Sequence, residues 1–527
     1  MKNSIKIKAV LVALLTIAMA SCTKKLDLTP KYGLNSVSVY EDPANYVHVL
    51  AKIYAGFNLS GNKGPSGQPD LGGIDEGFSS YVRVLWNLQE LPTDEAVCGW
   101  GDPGIPDLNK MTWSSDNGFV KAMYYRIYFQ VALCNEFIRE TSDDKLNSRG
   151  FSDTDVSNIK QYRNEARFLR ALSYYHELDL FGTGPFVNEN DEPGSYLPPQ
   201  ISGPDLFKYI ESELLAIEGS ITAARQNEYA RADKAAVDFL LAKLYLNAKT
   251  YTNATRWDDC ITYCNKIIPA GYALDSNYKW LFLADNNKST EVIFPITSDG
   301  LYTQSYGCTT FLVHAPIGGS MPASAYGVNG GWAGLRATKG LVNAFNNDTL
   351  DGRWLFYTAG QSLEINDITK FTDGYAVSKF RNVKRDGSKG SDNSGNYVDT
   401  DYPMFRLADV YLMYAEATLR GGNGNIGLAV DYINQLRERA YGNTTGNITA
   451  ADLNLTFILN ERSRELQWEC TRRTDLIRYG LFTSGTYVWP YKGGDPNGIA
   501  VGDYLNLYPL PSADLAANSN LHQNPGY

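Results

Sequence analysis

The stretch RADKAAVDFLLAKLYLNAKTY, residues 231–251, restricts the fold more than any other part of the chain. Its apolar residues recur at helical spacing, and small ones (Ala235, Ala236, Ala242, Ala248) alternate with large ones (Leu240, Leu244, Tyr245). A helix with that surface must be covered, and alanines let the covering helix come close. DTDVSNIKQYRNEARFLRALSYYHELDLFG repeats the logic. It starts Asp/Ser-rich, closes at Gly182, and sets Ala166, Leu169, Ala171, Leu172, Tyr175 and Leu178 on one stripe. Asn45 to Phe57, Asn117 to Thr141, GPDLFKYIESELLAIEGSI and WDDCITYCNKII extend the helical reading through the first half. FRLADVYLMYAEATLRGG, IGLAVDYINQLRERAYG and TFILNERSRELQWECTRRTDLIRYG resume it near the end.

Helix–turn–helix units of about 34 residues with such small residues at the contact are tetratricopeptide-like, here in degenerate form. Stacked pairs of this kind make scaffolds and docking surfaces. Between Tyr278 and Tyr402 the composition changes to Gly, Asn, Ser and Asp, with a β-like run from Glu291 to Ile296. Binding residues concentrate on loops held by a rigid scaffold. The expected fold is mostly α: tetratricopeptide-like helical pairs supporting a loop-rich face with short β segments.

The chain begins with Lys2, Lys6 and Lys8, followed by an apolar run from Ala9 to Ala20. That run suits a signal peptide and is short of the roughly 20 residues of a membrane-spanning helix. Met19-Ala20-Ser21-Cys22 resembles a bacterial lipobox, so Cys22 is the expected lipidation site. The expected organisation is a lipoprotein signal peptide at 1–21, a lipid-anchored tether at 22–39 and one domain at 40–527. Within that domain, 40–290 is mainly helical, 291–404 is the loop-rich insert and 405–527 holds the C-terminal helices and tail.

A net charge of −10 provides no footprint for nucleic acid. The six cysteines after Cys22 are scattered, and Cys260 and Cys264, four apart on a helix, stand too far apart for a relaxed bridge. The four histidines are isolated, which argues against a zinc site. DNSGNYVDTD (392–401) is faintly calcium-like but lacks the spaced Glu of an EF-hand, and reads as a polar loop. Arg462, Glu465, Arg472, Arg473 and Asp475 read as inter-helix pairing.

Five separated blocks resemble the SusD/RagB family of outer-membrane nutrient-binding lipoproteins. They are the lipobox start, EARFLRALSYYHELDLFGTGPFV (165–187), FRLADVYLMYAEA (405–417), NERSRELQWECTRRTDLIRYGLF (460–482) and YPLPSADLAANSNLHQNPGY (508–527). The resemblance is nearest to the family's starch-binding founder. It implies a non-catalytic glycan-binding lipoprotein on the outer face of the outer membrane. The partners it implies are starch or another α-glucan, a SusC-like TonB-dependent transporter, further surface glycan-binding lipoproteins and an amylase. Residues 72–113, 298–313 and 327–338 resemble the founder's ligand segments. On matching positions Trp100, Tyr306 and Trp332 would supply an arc of rings, and Asp75 and Arg83 hydrogen bonds to sugar hydroxyls. Cys98 stands where the founder has a further tryptophan, and Pro103 where it has an asparagine that bonds sugar. LADNNKSTE (283–291) only thinly echoes the founder's calcium loop, so no metal or other cofactor is carried over.

The chemistry agrees with that set. A pyranose has a flat C–H face for an aromatic ring and a fringe of hydroxyls for Asp and Arg. α-1,4-Glucan coils naturally, so rings along a curve touch successive glucoses without straightening it. Two alternatives stay open. The altered edge at Cys98 and Pro103 allows a different polysaccharide. The Asp75-Glu76 and Asp94-Glu95 pairs raise a surface glycoside hydrolase, which needs two carboxylates facing each other across a cleft.

Overall fold

The computed structural model describes residues 36–191, 194 and 196–527. The expected signal peptide, Cys22 and most of the expected tether lie outside the described residues. Among those described, no helix is long and apolar enough to cross a membrane.

The longer helices of the first half are α1 (Asn45–Ala55), α2 (Tyr81–Glu90), α3 (Gly118–Glu140), α4 (Asp153–Leu180), α5 (Gly203–Glu218), α6 (Lys234–Leu246) and α7 (Trp257–Ile267). After the loop-rich stretch come α8 (Leu407–Leu419), α9 (Ile426–Tyr441), α10 (Leu455–Leu466) and α11 (Arg472–Arg478). Side-chain caps set many starts. Asn117 accepts from the amides of Phe119 and Val120, Asp233 from those of Ala235 and Ala236, and Ser152 and Ser202 from the amides three residues on.

Neighbouring helices pack as pairs: α3 on α4, α6 on α7, α8 on α9. Ala235, Ala236, Leu240, Ala242, Leu244, Tyr245 and Ala248 are all buried, so the alternation of small and large residues is the packing code it resembled. The fold is the expected mostly helical one. The six cysteines after Cys22 are free and buried.

The loop-rich stretch leaves and returns on one antiparallel ladder, β2 (Val292–Ile296) against β4 (Tyr402–Arg406). A second short ladder pairs β1 (Ala96–Cys98) with β3 (Leu335–Ala337), joining the loop face to the helical part.

Beneath the first ladder lies a buried ionic hub. Glu465 on α10 receives Arg353 at 3.0 Å, Arg406 at 2.6 Å and Arg439 at 2.5 Å. Arg406 also reaches Glu291 at 2.9 Å and Glu469 at 2.7 Å. Arg462 bridges Asp409 and Asp475, each at 2.7 Å, and Arg472 holds Asp94 at 2.6 Å. The charged cluster of the sequence is indeed inter-helix pairing.

Burial alone would raise the Glu461 and Asp475 carboxyls, but surrounding arginines outweigh it and hold both at about 2. Glu177 and Glu95 behave oppositely: burial pushes them up to about 8 and about 7. The depressed pair stabilises the fold above their ordinary carboxylate range and ceases to as pH falls toward 2. The raised pair stabilises at low pH, and that contribution is lost as pH rises from their ordinary 4.5 toward 8. Urea-unfolding midpoints should therefore peak near about pH 5 and decline on both sides. A flat profile across that range would contradict this arrangement.

Candidate functional site

Three segments meet at the end of the loop face, and glycines permit each meeting. The first is α2, whose N-terminal flank is Ser80. A Cβ on Gly307 would lie 1.7 Å from the Ser80 hydroxyl, so only glycine lets the Tyr306 turn settle there. Arg83, on the first turn of α2, donates to the Tyr306 carbonyl at 2.8 Å and to the Gly77 carbonyl at 3.0 Å. The second segment is Gly99-Trp100, just past β1. The Gly99 amide prolongs the β1–β3 ladder by donating to the Gly334 carbonyl at 2.9 Å. The Trp100 indole folds back and donates to the Trp332 carbonyl at 3.0 Å. The third is the Gly330–Gly334 loop that presents Trp332.

The rings form a series. Trp100 and Trp332 have centroids 6.3 Å apart, Trp332 and Tyr306 6.2 Å, Tyr306 and Tyr397 5.9 Å. Tyr306 is 39% exposed, and the other three are half-buried with surface remaining. One face of Trp332 is covered: the His314 imidazole stacks on it at 5.0 Å and 16°. His314 is held in turn by Nδ1 against the Gly330 carbonyl at 2.8 Å. That carbonyl accepts only, so Nδ1 carries the proton. Burial lowers the pKa of this histidine, which keeps the ring neutral.

Behind the rings, the Arg83 guanidinium carbon sits 4.5 Å from the Phe311 ring, 5.7 Å from Trp100 and 5.8 Å from Trp332. Burial draws its pKa down to about 10, countered by Cys98, Asp102 and Asp75, so it remains a cation. Its fork is not wholly free, because Nη1 is committed to two backbone carbonyls. Asp75 is exposed at the margin, with Oδ1 accepting the Gly77 amide at 2.7 Å. It acts on Arg83 through space; no direct ion pair joins them among the described residues.

The structure thus gathers Trp100, Tyr306, Trp332 and Arg83, and leaves Asp75 at the rim. Cys98 is buried, with its backbone locked to the Asn109 side chain at 3.1 and 2.7 Å, and burial pushes its thiol up to about 12. It supplies no surface, so the edge there is recessed. Pro103 is exposed and brings no side-chain donor.

Tyr397 is the ring that sequence reasoning missed. It lies in the polar loop 392–401, where the Asp392 carboxylate accepts from the amides of Ser394 at 2.8 Å and of Asn396 and Tyr397 at 2.9 Å each. The spacing of acidic residues there serves to anchor a loop. Among the described residues no group of three or more His, Cys, Asp or Glu is placed to hold a metal ion.

Gly334 sets the geometry most tightly. A Cβ there would fall 2.2 Å from Cε2 of Trp100. Gly334→Ala should therefore expel the indole from its seat while the half-buried surroundings stay folded. The expected signs are a shifted tryptophan emission and weakened ligand binding at a nearly unchanged melting temperature. Unaltered emission and affinity would refute this role.

Residues 329–527 match the model of the SusD family. The chain is 36% identical to the starch-binding protein SusD of Bacteroides thetaiotaomicron, over 98% of each chain. It is 28% identical to a SusD-like protein of Bacteroides ovatus, covering 60% of this chain and 58% of that one. Among solved structures it resembles a SusD homolog from Bacteroides thetaiotaomicron, with a TM-score of 0.71 at 19% identity over 94% of this chain and 99% of that one. A laminarin-binding SusD-like protein superposes with a TM-score of 0.69 at 20% identity, covering 92% and 99%.

Proposed function

Because the chain belongs to the SusD family, we propose that it is a non-catalytic cell-surface receptor that captures starch and maltooligosaccharides on the four-ring series and passes them to a TonB-dependent transporter of the SusC type. The observation that carries the reading is the ring series itself: four aromatic side chains from distant segments, 5.9–6.3 Å apart in succession, with a cation braced behind them. Rings so spaced offer apolar faces to successive sugars, and their fixed setting limits the entropy lost on binding. Acylation at Cys22 would hold the protein at the outer membrane, beside companion glycan-binding lipoproteins and an amylase.

Single-site binding in the millimolar range corresponds to about −4 kcal/mol. Many copies meeting one polymer raise the apparent strength by avidity, and weak single contacts allow hand-over. A non-catalytic role is supported by the carboxylates. Asp94 and Glu95 are sealed in the interior, Asp94 on Arg472 and Glu95 on Ser463. Glu76 is buried and accepts from the Gly67 amide.

Affinity electrophoresis decides the substrate. Amylopectin in the gel should retard the protein, and laminarin or dextran should not. The recessed edge at Cys98 and the missing donor at Pro103 favour one second reading, a different polysaccharide on the same rings. Retardation by another glycan in place of amylopectin would select it. Release of reducing ends from soluble starch by the purified protein would overturn the non-catalytic assignment.

A further inference from the structure

Tyr302 is 84% exposed, more than any other large hydrophobic side chain among the described residues, and Leu301 beside it is 53% exposed. That exposure does not come from a slack chain. The Asp299 carboxylate accepts the amides of Leu301 at 2.8 Å and Tyr302 at 3.0 Å. The Asp299 amide donates to the Thr303 hydroxyl at 2.6 Å, and the Thr303 amide returns to the Asp299 carbonyl at 2.9 Å. A closed turn therefore holds an aromatic ring out in water.

The turn stands on the same base as Tyr397. The Gly300 amide donates to Asp399 Oδ1 at 2.8 Å, and Asp399 Oδ2 accepts the Ser391 amide at 2.6 Å. A Cβ on Gly300 would come within 2.9 Å of the Asp392 Cβ. Asp392 is the residue whose carboxylate fixes the Asn396 and Tyr397 amides. Four residues further along, the chain presents Tyr306, the neighbour of Tyr397 in the ring series.

We propose that Tyr302 continues the ring series past its Tyr397 end and is a contact for the distal part of long α-glucan chains; this rests on the glycan-binding reading above. A tyrosine ring offers an apolar face and a hydroxyl, the pair of surfaces a sugar matches. Because the turn is already ordered, stacking on it costs little further backbone freedom. A short oligosaccharide is accommodated by Trp100, Trp332, Tyr306 and Tyr397 without reaching Tyr302. A long one extends to it, so the residue sets preference for chain length.

The test compares maltotriose with soluble amylose, titrated calorimetrically into the unmutated protein, Tyr302→Ala and Tyr302→Phe. Tyr302 is almost wholly in solvent, so neither substitution threatens the fold. Tyr302→Ala should leave maltotriose affinity within about twofold and weaken amylose about three- to tenfold, the range of one aromatic contact. Tyr302→Phe, which keeps the ring, should retain most of the amylose affinity. Unchanged amylose affinity in Tyr302→Ala overturns the proposal. So does an equal loss on both ligands, or a loss in Tyr302→Phe as large as in the alanine variant. If the unmutated protein binds neither ligand, the starch reading falls and takes this inference with it. If it binds both and Tyr302→Ala changes neither, only this inference falls.

Discussion

Trp332→Ala should abolish measurable binding of maltoheptaose and remove retardation by amylopectin, at a melting temperature close to that of the unmutated protein. Trp332 is an inner ring of the series, with Trp100 at 6.3 Å on one side and Tyr306 at 6.2 Å on the other. Truncating it breaks the series into separated parts. An aromatic anchor of this kind typically contributes about 2 kcal/mol or more, near a thirtyfold loss. Set against a single-site affinity of about −4 kcal/mol, that takes binding out of calorimetric range. The fold should survive because the indole is only half-buried and its backbone contacts remain. The Trp332 amide still donates to the His314 carbonyl at 2.8 Å, and its carbonyl still receives the Trp100 indole. Trp100→Ala should act in the same direction but less, since Trp100 ends the series. Amylopectin retardation equal to that of the unmutated protein would show that the rings are not the platform.

How much of this was legible in the sequence depends on the range over which each feature is determined. Helices with local signals were readable. The Asp233 cap and the alanines after it are within one turn of each other, and the helix ends where Asn247 begins the next short one. The helix running from Asp153 to Leu180 follows its Asp/Ser-rich start in the same way. Trp100, Tyr306 and Trp332 come together through resemblance, not through any local pattern, because the contact joining Trp100 to Trp332 spans more than two hundred residues and the one joining Tyr306 to Trp332 crosses a loop with no periodicity. The seat of Trp100 against Gly334 is equally long-range, and the imidazole of His314 reaches Trp332 through an irregular loop, so neither leaves a mark that spacing could reveal. Tyr397 was hidden differently. Its loop has the composition of a solvated linker, and only the convergence of three amides on Asp392 makes it a rigid mount. Arg83 is expected from the resemblance to bond sugar hydroxyls; that its Nη1 also ties Gly77 to Tyr306 is a use of arginine that depends on where two loops end.

Glu465→Ala should produce the largest loss of stability of any single substitution considered. Its carboxylate is fully buried and receives three guanidinium groups, from Arg353, Arg406 and Arg439. Burial would raise its pKa, yet the three arginines hold it well below the ordinary carboxylate range. Removing it leaves the arginines with only Glu291, Glu461, Glu469 and Asp351 to balance them. Breaking one side of a buried ionic arrangement costs about 3–5 kcal/mol, because charge stays behind without its partner. Whole domains are stable by only about 5–15 kcal/mol, so the variant should unfold at markedly lower urea concentration. Glu465→Gln should lose less, since the amide keeps the shape and an acceptor but not the charge. The location adds a consequence for binding. Arg406 is the last residue of β4 and joins the ladder carrying the loop face to α10, where its Nη2 also donates to the Glu465 carbonyl at 2.7 Å. Weakening that joint should loosen the mount of the rings, so glycan affinity should fall with temperature earlier than in the unmutated protein. A Glu465→Ala variant with an unchanged urea midpoint would mean that the hub holds its geometry without holding the fold.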